Sequence, residues 1–267
     1  MYADGTDLRN LSNLNWAADD MPDVSPDGTR VTFCTTRDIG TQIYVMNADG
    51  SDQRRLTEGA DVNWYPRWSP DGARILFYRL GSGLHIMDAD GQSERWLVKS
   101  QAGGDWSPDG TRIVYPDPAH HDLMTISPDG AGMAPMGIQG LDPWVYTPAW
   151  SADGSRIVFE NSRANPGSDL FAVDPNGKNL DRLTERAGWS MSPAWTSDGA
   201  RIVFSSNGSS LFTMLSGGGD VQRLVGGTGW ADYPSWHGGS DLTRPVSPRG
   251  KNPFTWGWLK RAGALTR

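Results

Sequence analysis

Asp117, His120, His121 and Asp122 fall within six positions, and there carboxylates and imidazoles stand together. Both groups offer lone pairs, so Asp117, His120 and Asp122 are candidate ligands for a divalent metal. The competing reading is a solvated loop whose adjacent histidines point apart. Glu160 follows Phe159 directly and, with Arg163 three residues on, could act as a general base toward an acidic substrate. It could equally be half of an exposed ion pair, which contributes little. Glu160, His120 and His121 are therefore the proton-transfer candidates, with Arg37 or Arg163 as an anion clamp. No Gly-x-Ser-x-Gly elbow, P-loop or dinucleotide fingerprint occurs, so no cofactor is expected, a divalent metal aside. Cys34 has no partner for a disulfide and reads as a small buried apolar residue.

A second set is aromatic. Trp64 and Tyr65, Trp144 and Tyr146, Trp189, and Trp230 and Tyr233 recur in corresponding segments, all but Trp189 beside Asp or Asn. They can form a rim that stacks a flat or sugar-like ligand, oriented by Arg37 and Arg163, or they can simply cover seams between packed units. The corresponding segment Gln101-Ala102-Gly103-Gly104 has no aromatic residue, which predicts a notch there.

These residues are positioned by a repeat. Trp68-Ser69-Pro70-Asp71-Gly72, Trp106-Ser107-Pro108-Asp109-Gly110, Trp150-Ser151-Ala152-Asp153-Gly154 and Trp195-Thr196-Ser197-Asp198-Gly199 are copies, and Val24 opens a fifth before Ser25-Pro26-Asp27-Gly28. The residue after the Trp or Val slot falls at 25, 69, 107, 151 and 196, a spacing of roughly 40 residues typical of stacked or radial repeats. Each copy predicts four short strands bounded by Asp-Gly or Asn-Gly turns, which is a propeller blade. The repeated Asp27, Asp71, Asp109, Asp153 and Asp198 read as turn-formers. Inner turns then emerge on one face and the dissimilar loops on the other, where a ligand is expected.

The composition agrees with this organisation. The 33 Gly and 18 Pro suit many short strands and tight turns, and the 13 Trp serve first as packing. A net charge of -7 without a basic block argues against a nucleic-acid partner. The sequence shows neither a leader peptide nor a membrane-spanning run, so no membrane insertion is expected; the compartment is cytoplasmic, or exported with a leader removed.

Tyr2-Ala3-Asp4-Gly5 through Ser12 matches only the end of a repeat, and Pro234-Ser235-Trp236 only a start. The expectation is therefore an all-β, six-bladed propeller of four-stranded antiparallel blades over 1–267, the last closed jointly by both chain ends. The blades would span about 16–58, 59–98, 99–139, 140–185, 186–226, and 227–267 with 1–15. On Trp68 to Gly72 with Arg74-Ile75, Tyr44 to Gly50 and Arg55-Leu56-Thr57, the chain resembles the TolB-type six-bladed propellers built from WD40-like PD40 repeats. That resemblance implies periplasmic protein-interaction modules, non-catalytic domains of peptidases, or in some members lyases.

The functional expectation is a monomeric binding scaffold that recognises a protein, a peptide or a polar small molecule on its loop-rich face. The ligand-binding residues would be Arg37, Trp64, Tyr65, Trp144, Tyr146, Arg163, Trp189, Trp230 and Tyr233. The alternative is a lyase or hydrolase acting on a polar carbohydrate, peptide or small metabolite in the central funnel, through Glu160, His120 or His121.

Overall fold

The computed structural model describes residues 10–12, 14, 16–119, 121–162, 167–185, 189–207, 210–226 and 233–235. These form five four-stranded antiparallel sheets and no helix. Blade 1 holds β1 (Asp19–Val24), β2 (Arg30–Thr35), β3 (Gln42–Asn47) and β4 (Arg54–Arg55). Blade 2 holds β5 (Asn63–Trp68), β6 (Arg74–Arg79), β7 (Gly83–Asp88) and β8 (Arg95–Val98). Blade 3 holds β9 (Asp105–Trp106), β10 (Ile113–Pro116), β11 (Leu123–Ile126) and β12 (Ala134–Pro135). Blade 4 holds β13 (Trp144–Trp150), β14 (Ile157–Ser162), β15 (Ser168–Val173) and β16 (Asp181–Arg182). Blade 5 holds β17 (Ser190–Trp195), β18 (Arg201–Ser206), β19 (Ser210–Leu215) and β20 (Gln222–Gly226).

The expectation of six blades is corrected to five. The copy opening at Pro234 continues as His237-Gly238-Gly239-Ser240, without the Ser-x-Asp-Gly or Thr-x-Asp-Gly turn sequence of the other copies. That turn is what joins the first two strands of each complete blade. In blade 3, Ser107 Oγ donates to Asp109 Oδ1 at 2.6 Å and accepts the Arg112 amide at 2.9 Å, while Gly110 N–H donates to the Ser107 carbonyl at 2.8 Å. The same hydrogen-bond cycle recurs at Ser25, Ser69, Ser151 and Thr196. The Ser25 hydroxyl, with the Thr29 amide, holds the Asp27 carboxyl down at about 2. Of the segments assigned to the sixth blade, 1–15 and 227–267, all but residues 10–12, 14 and 233–235 lie outside the described residues.

Strand alternation puts one face of each sheet against the next sheet, so the core is divided into seams. Phe77 and Ile75 of blade 2 pack on Cys34 and Ile43 of blade 1, and Trp106 and Tyr115 of blade 3 on Leu76 and Tyr78 of blade 2. Val145 and Phe159 meet Val114 and Leu123, and Trp195 and Phe204 meet Val158 and Leu170. Cys34 is buried as expected, and burial pushes its thiol well above the ordinary range. On the face of blade 1 turned away from blade 2, Leu11 packs against the cluster of Val24, Val31, Phe33 and Met46.

The innermost strands of blades 1, 2, 4 and 5 share a device that β9 of blade 3 lacks. β1, β5, β13 and β17 each break register beside a left-handed residue: Met21 (φ 54°), Tyr65 (φ 56°), Thr147 (φ 45°) and Ser192 (φ 53°). Tyr233 has the same conformation at φ 51°. Each of these residues precedes a proline, and such bulges bend the strand and re-aim a side chain.

Candidate functional site

The loop face scatters the residues expected to bind ligand, and most are occupied in packing. Arg37 donates from Nη1 to Gln53 at 2.7 Å and from Nη2 to Asp19 at 3.1 Å, and its guanidinium lies 4.7 Å from the Tyr44 ring centroid. It clamps blade 1. Trp64 stacks on Tyr78 with centroids 6.3 Å apart, which covers a seam. Tyr65 fills the expected notch: a Cβ on Gly103 would lie 2.4 Å from the Tyr65 Cβ. Its ring meets Tyr233 edge-on at 5.6 Å, near the axis. Tyr146 pairs across the sheet with Glu160, and burial, reinforced by that carboxylate, raises its hydroxyl pKa. Trp144 and Trp189 stand out from the surface.

Among the described residues the catalytic and metal candidates do not converge. Glu160 is buried in β14, accepts a hydrogen bond from Ser162 Oγ at 3.3 Å and does not line the axial cavity. Asp122 is also buried, and its carboxylate accepts the amides of Leu123 (2.8 Å) and Gly137 (2.7 Å), a structural tie. His121 sits at the surface with Nδ1 2.8 Å from the Pro143 carbonyl, and the Asp117 amide donates to the Asp122 carbonyl at 3.1 Å. Among the described residues no group of three His, Cys, Asp or Glu side chains could hold a metal ion. His120, Arg163 and Trp230 lie outside the described residues.

The convergence is at the axis, and the sequence reasoning missed it. The residue just before each Val or Trp slot is Asp23, Arg67, Asp105, Ala149, Ala194 or Ser235. All six line one cavity of about 160 Å³. It reaches the inner-turn residues Ala152 and Ser197, so it opens on the turn face, opposite the loops. Arg67 Nη1 pairs with Asp23 Oδ1 at 3.6 Å, and Ser235 Oγ donates to the same oxygen at 3.3 Å. Burial raises the carboxyl of Asp23, partly offset by Arg67. Burial likewise pushes Asp105 up to about 6 against the pull of Arg67, and nearby Asp23 adds to the rise. The usable signal was present: aligning the copies on Trp leaves this slot varied in charge, while its neighbours repeat.

The same slot decides how neighbouring blades are joined. Asp23 Oδ2 accepts the Trp68 amide at 2.8 Å and Asp105 Oδ2 accepts the Trp150 amide at 2.8 Å. In these two seams the buried indole Nε1 of Trp68 and of Trp150 has no hydrogen-bond partner. Where the slot is Arg67 or Ala149, the next indole donates to its backbone carbonyl instead, Trp106 at 3.2 Å and Trp195 at 3.0 Å. Carboxylate and indole latches therefore alternate around the described ring.

A family model described as the TolB beta propeller domain, PD40, matches residues 1–142 and 82–252. The chain belongs to the PD40 TolB β-propeller family. This PD40 propeller is 32% identical over 153 residues to the uncharacterized protein Atu1656 of Agrobacterium fabrum, covering 51% of this chain and 52% of that protein. It therefore spans about half the length of that relative. TolB from Acinetobacter baumannii superposes with a TM-score of 0.72 at 17% identity, over 82% of this chain and 57% of that one. A putative TolB from Agrobacterium tumefaciens gives 0.70 at 20% identity over 90% of both. At these identities the likeness to the solved structures is one of fold. No helix among the described residues of this PD40 propeller is long and apolar enough to cross a membrane.

Proposed function

We propose that this PD40 propeller is a binding scaffold that docks a protein partner on its loop face. The observation that carries this reading is where large apolar side chains stay exposed. Trp16, Trp144 and Trp189 precede or open innermost strands at the loop end, at 70%, 45% and 44% exposure. Ile39 and Leu80, in the β2–β3 and β6–β7 loops, are 78% and 54% exposed on the same face. Exposed tryptophans on rigid strand ends are the residue type that anchors protein interfaces. The family membership supports a binding role of this coarse kind. The burial of Glu160 in the sheet speaks against its use as a general base on a substrate in the channel.

Photo-crosslinking tests the reading. A benzophenone amino acid is placed at Leu80 on the loop face or at Met133 on the turn face, in cells that make the protein. A discrete adduct from Leu80, lost on Trp144→Ala with Trp189→Ala and retained at Met133→Ala, supports loop-face docking. An adduct formed only from Met133 overturns it.

A further inference from the structure

We propose that the axial cavity is a second binding site, for a small organic cation: an alkylammonium or a guanidinium. It opens on the turn face and is separate from the docking surface on the loops.

The argument begins with charge. Asp23, Arg67 and Asp105 bring two carboxylates and one guanidinium to one cavity, and Arg67 pairs with Asp23. Among the described residues Asp105 has no ion-pair partner. Two carboxylates share one guanidinium that is already paired with Asp23, so the cavity carries an excess of negative charge that a cation would balance. The Asp23 and Arg67 side chains each keep 18% of their surface accessible while lining it.

Packing does not require these carboxylates. The seams latched by Trp106 and Trp195 hold with Arg67 or Ala149 in the slot and satisfy their indoles. The two seams with Asp leave a buried indole N–H unpartnered, and one of those indoles, that of Trp150, lines the cavity. Aspartate in the slot therefore carries a structural cost that a ligand-binding role explains. Shape narrows the class further. Opposite the charged wall stand Ala149, Pro193 and Ala194, small residues that leave room for a short alkyl chain beside the Trp150 ring. An indole face favours an organic cation, and about 160 Å³ admits a headgroup with a short chain but no folded element.

Titration calorimetry at pH 7.5 tests the site with putrescine, agmatine and a blocked Gly-Arg-Gly tripeptide, against n-butanol and glutamate. The expected result is saturable binding of the cations alone. Asp105→Asn should weaken it at least tenfold, because the carboxamide keeps an oxygen for the Trp150 amide but carries no charge. Ala152→Trp, an exposed turn position at the cavity mouth, should weaken it comparably without touching the charges or the fold. Tighter binding of the tripeptide identifies the cation as a side chain of a polypeptide, and tighter agmatine identifies a free metabolite; either supports the site. The proposal is overturned if no cation saturates or if both variants bind as the parent does.

Discussion

Asp105 Oδ2 accepts the backbone N–H of Trp150 at 2.8 Å, so a carboxylate on the innermost strand of one blade holds down the innermost strand of the next. The tie is made by a group whose charge the cavity opposes, since burial pushes Asp105 from the ordinary 3.8 to about 6. The native state therefore binds this proton more tightly than the unfolded chain does. The resulting stability is complete below about pH 4 and is lost as pH rises through about 6. Asp105→Asn, which cannot ionise, should raise unfolding stability at pH 7.5 by on the order of 1–3 kcal/mol and leave it nearly unchanged at pH 4. Urea unfolding at the two pH values measures this. Equal destabilisation at both would mean that the carboxylate matters only for packing.

Arg37 separates a clamp from a ligand arm. Its guanidinium meets Asp19, whose side chain is fully buried, as well as Gln53 and the Tyr44 ring. Arg37→Ala strands a buried carboxylate and should cost roughly 2–4 kcal/mol of stability. Crosslinking of a partner from Leu80 should persist at temperatures where the variant stays folded. A variant of undiminished stability that loses the adduct would return Arg37 to the role its sequence suggested.

Two outer turns predict unequal costs for the same substitution. Gly177 and Gly218 both have left-handed φ, 77° and 87°. A Cβ at Gly177 would lie 2.0 Å from the Met136 carbonyl oxygen of the preceding blade, whereas at Gly218 the nearest atom, the Leu183 carbonyl oxygen, is 3.4 Å away. Gly218→Ala should carry mainly the backbone cost, about 1 kcal/mol, and Gly177→Ala that cost plus displacement of a blade, at least ~2 kcal/mol in all. Thermal unfolding of the pair reads the difference, and equal shifts would mean that the blades separate freely there.

The five blades were legible because each hairpin is written twice, in branched strand residues and in the Ser-x-Asp-Gly turn that joins them. The count failed where only half of that signal exists: Tyr2 to Ser12 offers a strand ending and Pro234 to Trp236 a beginning, without a turn between. The site failed for another reason. Loop residues such as His121 and Trp64 attract attention by type, but their neighbours in space absorb them. Asp23, Arg67 and Asp105 looked like strand residues, and only ring geometry brings them together. The axial bulges were illegible altogether. Tyr65, Thr147 and Ser192 are neither Gly nor Asn and precede proline, which normally enforces an extended backbone, so local chemistry argued against the conformation they adopt.

The alternation of latches has a consequence for how the ring comes apart. Joints held by Asp23 and Asp105 respond to proton activity, whereas the Trp106 and Trp195 indoles donate to backbone carbonyls, which do not titrate. Both carboxyls hold their protons more tightly in the native state than in the unfolded chain, so rising pH, not acid, addresses every other joint. The pieces it would set apart are blades 2 and 3 together and blades 4 and 5 together.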